Sequence, residues 1–252
     1  MNKRITNLSK AFTQEYGDKM VTADKMPPID PIPSNLPTLD NYILGCGGMP
    51  RGRVIEVHGP ENSSKSTLAH YLSGQGSKDN PHFVTAWCDV EGSFHAGWAT
   101  RMGQNLTQTI FPPDTVIYAE DYLRYIKWCI VNEIDFVVLD CLAALVTKSV
   151  GERLLKKHAT TNQVLKNQMG FGDAERGLNM KEMLGRATFL SQVLMPDLMS
   201  GFPHGGKIYR LCHSKTCIYV VNQLRDNLDL RSFEKHTPGG KAVKFLYAAR
   251  LQ

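Results

Sequence analysis

The sequence predicts an α/β fold with a mostly parallel central sheet flanked by helices. Three observations carry this expectation. Short apolar runs alternate with helical patterns along most of the chain, the order that builds a parallel sheet. "DFVVLD" (135–140) is apolar almost throughout, as a strand buried on both faces should be. "GPENSSKST" (59–67) joins a strand-like run to a helical one, the place where a loop that cradles phosphate belongs.

Taken in order, residues 3–16 set Ile5, Leu8, Ala11 and Phe12 on one helical face, and Tyr16-Gly17 ends that helix. "KMPPIDPIPSNLP" (25–37) is rich in proline and lacks periodicity, so it reads as a linker or extended arm. Residues 1–35 are therefore expected to form an N-terminal helix and linker, and 36–252 the compact core. "RVIEVHG" (53–59) is a strand, 66–75 a helix, "HFVTAWCDVE" (82–91) a strand and 94–103 a short helix. "TVIYAE" (115–120) reads as a strand, followed by a helix at about 121–132 and the strand at 135–140. A long helical pattern covers about 173–198, and "CIYVVNQ" (217–223) and "VKFLYAARL" (243–251) are the last strands. Ligands of such sheets sit at the C-terminal ends of the strands.

Two stretches break the alternation. Residues 148–170 carry Lys148, Arg153, Lys156, Lys157 and Lys166 against Glu152 alone, five minus one, or +4. Residues 224–241 are polar and end in "TPGGK". Loops of this length in a compact domain are usually functional.

Composition narrows the class. The 252 residues are 42% hydrophobic, enough for a sizeable core, and the formal net charge of +5 permits a polyanionic partner without requiring one. The six cysteines include no CxxC pair and several lie in apolar runs, which points to reduced thiols in a cytoplasmic protein. Cys212, His213 and Cys217 match no common zinc spacing. "MNKRITNLSKAF" has no apolar signal region, and no stretch approaches the ~18 apolar residues of a membrane helix.

The chemistry follows from residue types at strand ends. In residues 59–67 (Gly59, Pro60, Glu61, Asn62, Ser63, Ser64, Lys65, Ser66 and Thr67) backbone N–H groups at a helix start can hold phosphate oxygens. Lys65 would neutralise the outer phosphates, and the Ser66 hydroxyl would ligand Mg²⁺, a hard cation that prefers oxygen. Ser64 stands where this motif usually carries glycine, and a polar turn that merely resembles the motif is the alternative. Asp140, ending its strand, would reach the Mg²⁺ shell, and Glu91, after another strand, would orient or deprotonate the attacking water. Either acid alone could be a solvated strand end; together, downstream of the loop, they favour an ATPase site. Gln223 could report the γ-phosphate to the loop that follows, or with Asn222 simply cap a strand.

These residues, in this order, resemble the RecA family of ATP-dependent recombinases. The resembling segments are "LPTLDNYILGCGGMPRGRVIEVHGPENSSKSTLAHYL", "WCDVEGSFHAGWATRMG", "VVLDCLAAL" and "VVNQLRDN…TPGGKAVKFLYAARL", spread over about 36–252. The resemblance implies a RecA-like P-loop NTPase core, with ATP and Mg²⁺ as cofactors. It implies an enzyme, a DNA-dependent ATPase, that binds single-stranded DNA and a homologous duplex, self-assembles into a helical filament and promotes pairing and strand exchange. Lys65, Ser66 and Thr67 would bind phosphate and Mg²⁺, Glu91 activate water, Trp98 stack on adenine, Asp140 support the metal and Gln223 couple the γ-phosphate to the second DNA loop. Arg225, Gly239, Gly240 and Lys241 would lie in or beside that loop, with Lys181 a further basic DNA contact. Lys244, Phe245 and Arg250 match the subunit-interface segment. Lys156, Lys157 and Lys166 would bind DNA phosphate or solvate a loop. The helix at 3–16 would dock on a neighbouring subunit, or else pack on its own domain, and "KMVTA" (19–23) could add a strand to the neighbour's sheet.

Three departures carry expectations of their own. Ser64 suggests a phage-encoded branch, and the expected location is the cytoplasm of a bacterial cell or a phage-infected host. Residues 148–170 and 199–216 are expanded relative to the family pattern. The chain stops at Gln252, where the family continues with further core strands, which implies a shortened C-terminus. Ser64 and that ending also support a rival from another class, a nucleotide-binding assembly or regulatory subunit with little or no ATP turnover.

Overall fold

The computed structural model describes residues 2–17, 20–25, 28–153, 189–224, 237 and 244–252. They fall into two compact units, Met1–Asp30 and Pro31–Gln252. In the first, α1 spans Lys3–Tyr16, within the expected bounds. The Asn2 side chain accepts the Arg4 N–H at one end, and Gly17, left-handed at φ 73°, closes the other by donating its N–H to the Thr13 carbonyl. Ile5, Leu8 and Phe12 line an exposed stripe, and the Phe12 and Tyr16 rings stack at 4.6 Å.

The second unit is built on six parallel strands in the order β10-β3-β9-β6-β4-β5. Their ranges are β3 Val54–Gly59, β4 Thr85–Asp89, β5 Thr109–Ile110, β6 Phe136–Asp140, β9 Cys217–Gln223 and β10 Tyr247–Leu251. Two short strands, β1 (Pro31–Ile32) and β2 (Met49–Pro50), pair antiparallel outside that sheet. Side chains alternate between faces, and both faces are apolar. Val137, Leu139, Ile218 and Val220 enter one core, with Leu123 and Ile126 of α4 (Ala119–Val131). Phe136, Val138, Tyr219 and Val221 enter the other, with Ala69 and Leu72 of α2 (Lys65–Ser77). A central sheet sandwiched this way explains why its strands read as continuous apolar runs.

One expectation is corrected. "TVIYAE" is not a strand; the edge strand β5 lies earlier, at Thr109–Ile110. Pro112 and Pro113 lack the N–H that would continue a ladder, and the Asp121 carboxylate accepts the Tyr118 N–H, so Ala119 and Glu120 already belong to α4. The expanded stretch 199–216 holds an antiparallel hairpin, β7 (Phe202–His204) with β8 (Lys207–Tyr209). Gly205 and Gly206 turn it with φ of 53° and 76°, both positive as a two-residue hairpin turn requires. Of the long helical pattern at 173–198, residues 173–188 lie outside the described residues. Its described end is a π-helical stretch, Leu190–Leu194, running into α5 (Met195–Ser200). The third helix, α3, is Ala96–Arg101. No helix among the described residues is long and apolar enough to cross a membrane.

Candidate nucleotide-binding site

The register of the sheet assembles the site. Gly59 at the end of β3 lies opposite Gln223 at the end of β9, and Asp140 at the end of β6 lies opposite Asp89 at the end of β4. Four neighbouring strands thus deliver their last residues to one edge. A cavity of about 490 Å³ opens there, lined among others by Lys65, Ser66, Glu91, Asp140, Cys141 and Gln223.

The loop from β3 to α2 has the backbone an anion needs. Asn62 (φ 58°) and Ser64 (φ 62°) are both left-handed, and left-handed residues in such a turn aim successive N–H groups into one concavity. Residue 64 is where a glycine is expected for this reason: a side chain in the left-handed region costs roughly 1–2 kcal/mol. Ser64 occupies it with its side chain exposed and forms no capping hydrogen bond to α2. Gly59 is constrained differently, since a Cβ there would lie 2.6 Å from the Ser63 hydroxyl. The Lys65 ammonium donates to the Pro60 carbonyl at 2.6 Å and the Ser63 hydroxyl at 3.3 Å, so it already lies over the loop. The buried Tyr219 hydroxyl donates to the Lys65 carbonyl at 2.9 Å, tying β9 to the first turn of α2.

Asp140 is only 2% exposed. Burial raises its carboxyl pKa to about 6; a hydrogen bond from Ser66 works against that rise, Glu91 and Asp89 add to it, and Lys65 opposes it. A buried acid beside a serine hydroxyl, with oxygen donors only, fits a hard divalent cation. Ser66 and Asp140 are the residues that would hold it. The left-handed turn, the Lys65 ammonium and the N-terminus of the 13-residue α2 fit polyphosphate.

Glu91 lies two residues past β4, in a turn fixed by Asp89, whose carboxylate accepts the N–H groups of Ser93 and Phe94, each at 2.9 Å. One Glu91 oxygen, Oε1, accepts from Gln223 Nε2 at 2.9 Å and from Cys141 Sγ at 2.7 Å. Burial, reinforced by Glu91, pushes the Cys141 thiol up to about 12, so it stays protonated and donating at neutral pH. Oε2 of the exposed Glu91 is left for other partners in the cavity. Trp98, on α3, is 41% exposed, and its indole N–H donates to the Thr67 hydroxyl at 3.2 Å.

The structure thus brings together Gly59 to Thr67, Glu91, Asp140 and Gln223, and sets Trp98 beside the start of α2. Lys156, Lys157, Lys166, Lys181, Arg225, Gly239, Gly240 and Lys241 lie outside the described residues. Lys244 and Phe245 are described, Phe245 being 77% exposed. Arg250 is engaged within its own chain, its Nε donating to the buried Glu56 carboxylate. Of the Cys212, His213 and Cys217 trio, Cys212 is exposed and Cys217 buried in β9, and the described residues hold no group of three potential ligands. Sequence reasoning missed Asp89, Cys141 and Tyr219. Asp89 and Cys141 carried one signal, their place at a strand end, while Tyr219 sits mid-strand among apolar residues and carried none.

Comparison with known proteins meets this geometry. The family model described as the RecA N-terminal domain matches residues 1–195. Protein RecA of Kineococcus radiotolerans is 31% identical over 248 residues, 97% of this chain and 59% of that protein. Protein RecA of Chloroflexus aurantiacus is 31% identical over 250 residues, 98% and 60% respectively. Protein RecA of Geobacter metallireducens is 28% identical over 250 residues, 98% and 62% respectively. The chain therefore spans about three fifths of the length of the curated relatives it matches. A phosphate-loop turn, a buried acid on β6 and a strand-end glutamine, joined to a match over three quarters of the sequence, lead to one assignment: the chain belongs to the RecA family.

Proposed function

We propose that this chain is the ATP-hydrolysing core of a DNA recombinase, acting in recombination and repair. It binds single-stranded DNA, assembles into a helical filament and promotes pairing and strand exchange with a homologous duplex. The observation that carries the proposal is the hydrogen bond from Gln223 to Glu91 across the cavity from Lys65, Ser66 and Asp140. One group able to activate water is held by one able to sense the γ-phosphate.

The chain's own residues supply the following. The left-handed turn and the start of α2 bind the phosphates, and Lys65 moves from the Pro60 carbonyl to the outer phosphate oxygens. Ser66 and Asp140 would hold Mg²⁺, which would supply charge neutralisation at the phosphates. Glu91 accepts the proton of the attacking water on Oε2, while Oε1 stays fixed by Cys141 and Gln223. Trp98 gives the nucleobase an aromatic face. The basic stretch 148–170 and the loop ending in "TPGGK" contact DNA phosphate, and Lys244 and Phe245 face a neighbouring subunit. Ser64 supports a phage-encoded branch, and the proposed location is the cytoplasm.

The test is ATP turnover with and without single-stranded DNA, beside Lys65→Ala. DNA-stimulated turnover that Lys65→Ala abolishes is the expected result. Turnover indifferent to DNA, or surviving Lys65→Ala, refutes the proposal. ATP binding without turnover identifies instead the assembly-subunit reading that left-handed Ser64 favours.

A further inference from the structure

Tyr219 sits in the middle of β9, 0% exposed, with Ile55 of β3 and Val138 of β6 opposite it on either side. Its ring packs in the apolar core beneath α2, 5.8 Å from the Phe136 ring. Phenylalanine would fill that space as well and would bury no polar atom. A hydroxyl taken this far from water is tolerated only with a partner, and the Lys65 carbonyl, 2.9 Å away, is that partner. The bond joins the middle of β9 to the first turn of α2.

What the bond fixes follows from the peptide unit it ends on. The Lys65 C=O and the Ser66 N–H belong to one planar trans group, so they point opposite ways. The C=O runs along α2, and the Ser66 N–H faces out of its N-terminus, where the first N–H groups have no partner inside the helix. Ser66 lines the cavity and Tyr219 does not. Within α2 the Lys65 carbonyl also accepts from the next turn, and its second lone pair takes the Tyr219 hydroxyl. The helical bond sets the carbonyl relative to α2; the hydroxyl sets that turn of α2 relative to the sheet. The other contacts of α2 with the sheet are of different kinds. Ala69 and Leu72 pack without direction, and Ser73 meets Thr85 of β4 at 2.7 Å about two turns further on. The Ser66 hydroxyl bonds Asp140, but both line the cavity, where a ligand competes for them. The Tyr219 bond lies behind the cavity, where nothing that binds nucleotide needs to break it.

We infer that Tyr219 is a positioning residue for the phosphate loop, acting through the Lys65–Ser66 peptide to hold the Ser66 N–H toward a bound phosphate. β9 thereby serves both halves of the site. Tyr219 stands behind the phosphate loop, and Gln223, at the end of the same strand, donates to Glu91. This inference rests on the nucleotide-site reading for its effect on affinity, but not for its effect on the Ser66 amide.

The test compares two variants of the full chain. Tyr219→Phe keeps the packing and removes the hydroxyl. Ile55→Val thins the same core, directly opposite Tyr219, and touches no side-chain hydrogen bond. Each is measured for affinity toward a fluorescent ATP analogue, for turnover across a range of ATP concentrations, and for the Ser66 backbone amide resonance in a ¹⁵N-labelled sample. An N–H that cradles phosphate serves ground and transition states alike, so misplacing it raises KM and spares kcat. One hydrogen bond is worth at most about tenfold, so Tyr219→Phe should bind the analogue about fivefold more weakly, with KM raised to match and kcat within about twofold of wild type. Its Ser66 resonance should be displaced. Ile55→Val should keep the wild-type affinity and resonance. Tyr219→Phe with affinity within about twofold of wild type, or with kcat falling in place of affinity, overturns the inference. So does an Ile55→Val variant that reproduces the loss of affinity, since a loosened core would then explain it. If the wild-type chain does not bind the analogue, the nucleotide-site reading fails and the Ser66 resonance alone decides. Displacement in Tyr219→Phe but not in Ile55→Val then sustains the positioning role, and any other pattern overturns it.

Discussion

Replacing Asp140 by asparagine should stabilise the protein while removing the proposed ATP turnover. The carboxyl is raised to about 6 from an ordinary value of 3.8, chiefly by burial. A raised acid holds its proton more tightly folded than unfolded, so ionising it works against folding. The penalty is small below the unfolded value, grows as pH rises from about 4, and levels off above about 6. From these two values the penalty is about 0.5 kcal/mol at pH 4 and about 3 kcal/mol at pH 7.5, by the linkage between proton binding and stability. Asparagine keeps the shape, still accepts from Ser66, and does not titrate. The stability of Asp140→Asn minus that of wild type should therefore rise by about 2.5 kcal/mol between pH 4 and pH 7.5, whatever its starting offset. With a urea m-value of about 2.5 kcal/mol/M, the denaturation midpoints should separate by about 1 M more at the higher pH. Urea titrations followed by tryptophan fluorescence at several pH values measure this directly. A gap that stays constant or shrinks with pH would show that Asp140 is not a strained, buried acid and that its carboxylate is not held ready for a cation.

Two further outcomes follow from the same residues and from the basic stretch. Ser64→Gly removes a left-handed penalty of roughly 1–2 kcal/mol but adds about 0.5–1 kcal/mol of unfolded-chain entropy, so a net gain of about 0.5–1 kcal/mol in thermal or urea stability is expected. A loss of stability would mean that Ser64 makes a contact worth more than its backbone strain. Neutralising Lys156, Lys157 and Lys166 together should lower the slope of log affinity for single-stranded DNA against log salt by up to about 2, which fluorescence anisotropy over a salt series reads. An unchanged slope assigns that stretch to solvation.

What was legible in the sequence was whatever a short window contains. β9 is bounded where its apolar run is bounded, at Cys217–Gln223, and the phosphate-loop turn, Glu91, Asp140 and Gln223 share one edge because parallel strands end on the same side. Misreadings came where local propensity met a local block. Val116, Ile117 and Tyr118 favour a strand, yet proline before them and the Asp121 cap after them decide otherwise. The β7–β8 hairpin passed unread although "HGGK" is a turn signal, since its strands are too short to show alternation. The long-range side-chain pairings were not legible at all. Glu56 in "RVIEVHG" looks like an outward polar residue. That it is buried depends on β10 and β9 flanking β3, a strand order no local pattern states. Cys141 likewise reads as an inert buried thiol until β4 and β6 are neighbours and Glu91 comes within 2.7 Å.

Ser64 and Asp140 belong to one physical pattern. Each breaks a local rule: a side chain sits where glycine is least strained, and an acid is buried where its charged form is disfavoured. Both violations lie at the phosphate edge, while the sheet behind them obeys its rules, with apolar residues alternating into two cores. Local strain concentrated at one edge is what a site looks like when the group that would relieve it is a ligand rather than a neighbouring side chain. The two violations are nevertheless not equivalent. Strain at Ser64 is in the backbone, and glycine would relieve it while leaving every N–H in place. The burden on Asp140 is its charge, and removing it removes what the site offers a cation. Ser64→Gly should therefore raise stability and keep nucleotide affinity, whereas Asp140→Asn should raise stability and lose metal-dependent turnover. That divergence separates a loop built to hold phosphate from one that only resembles it.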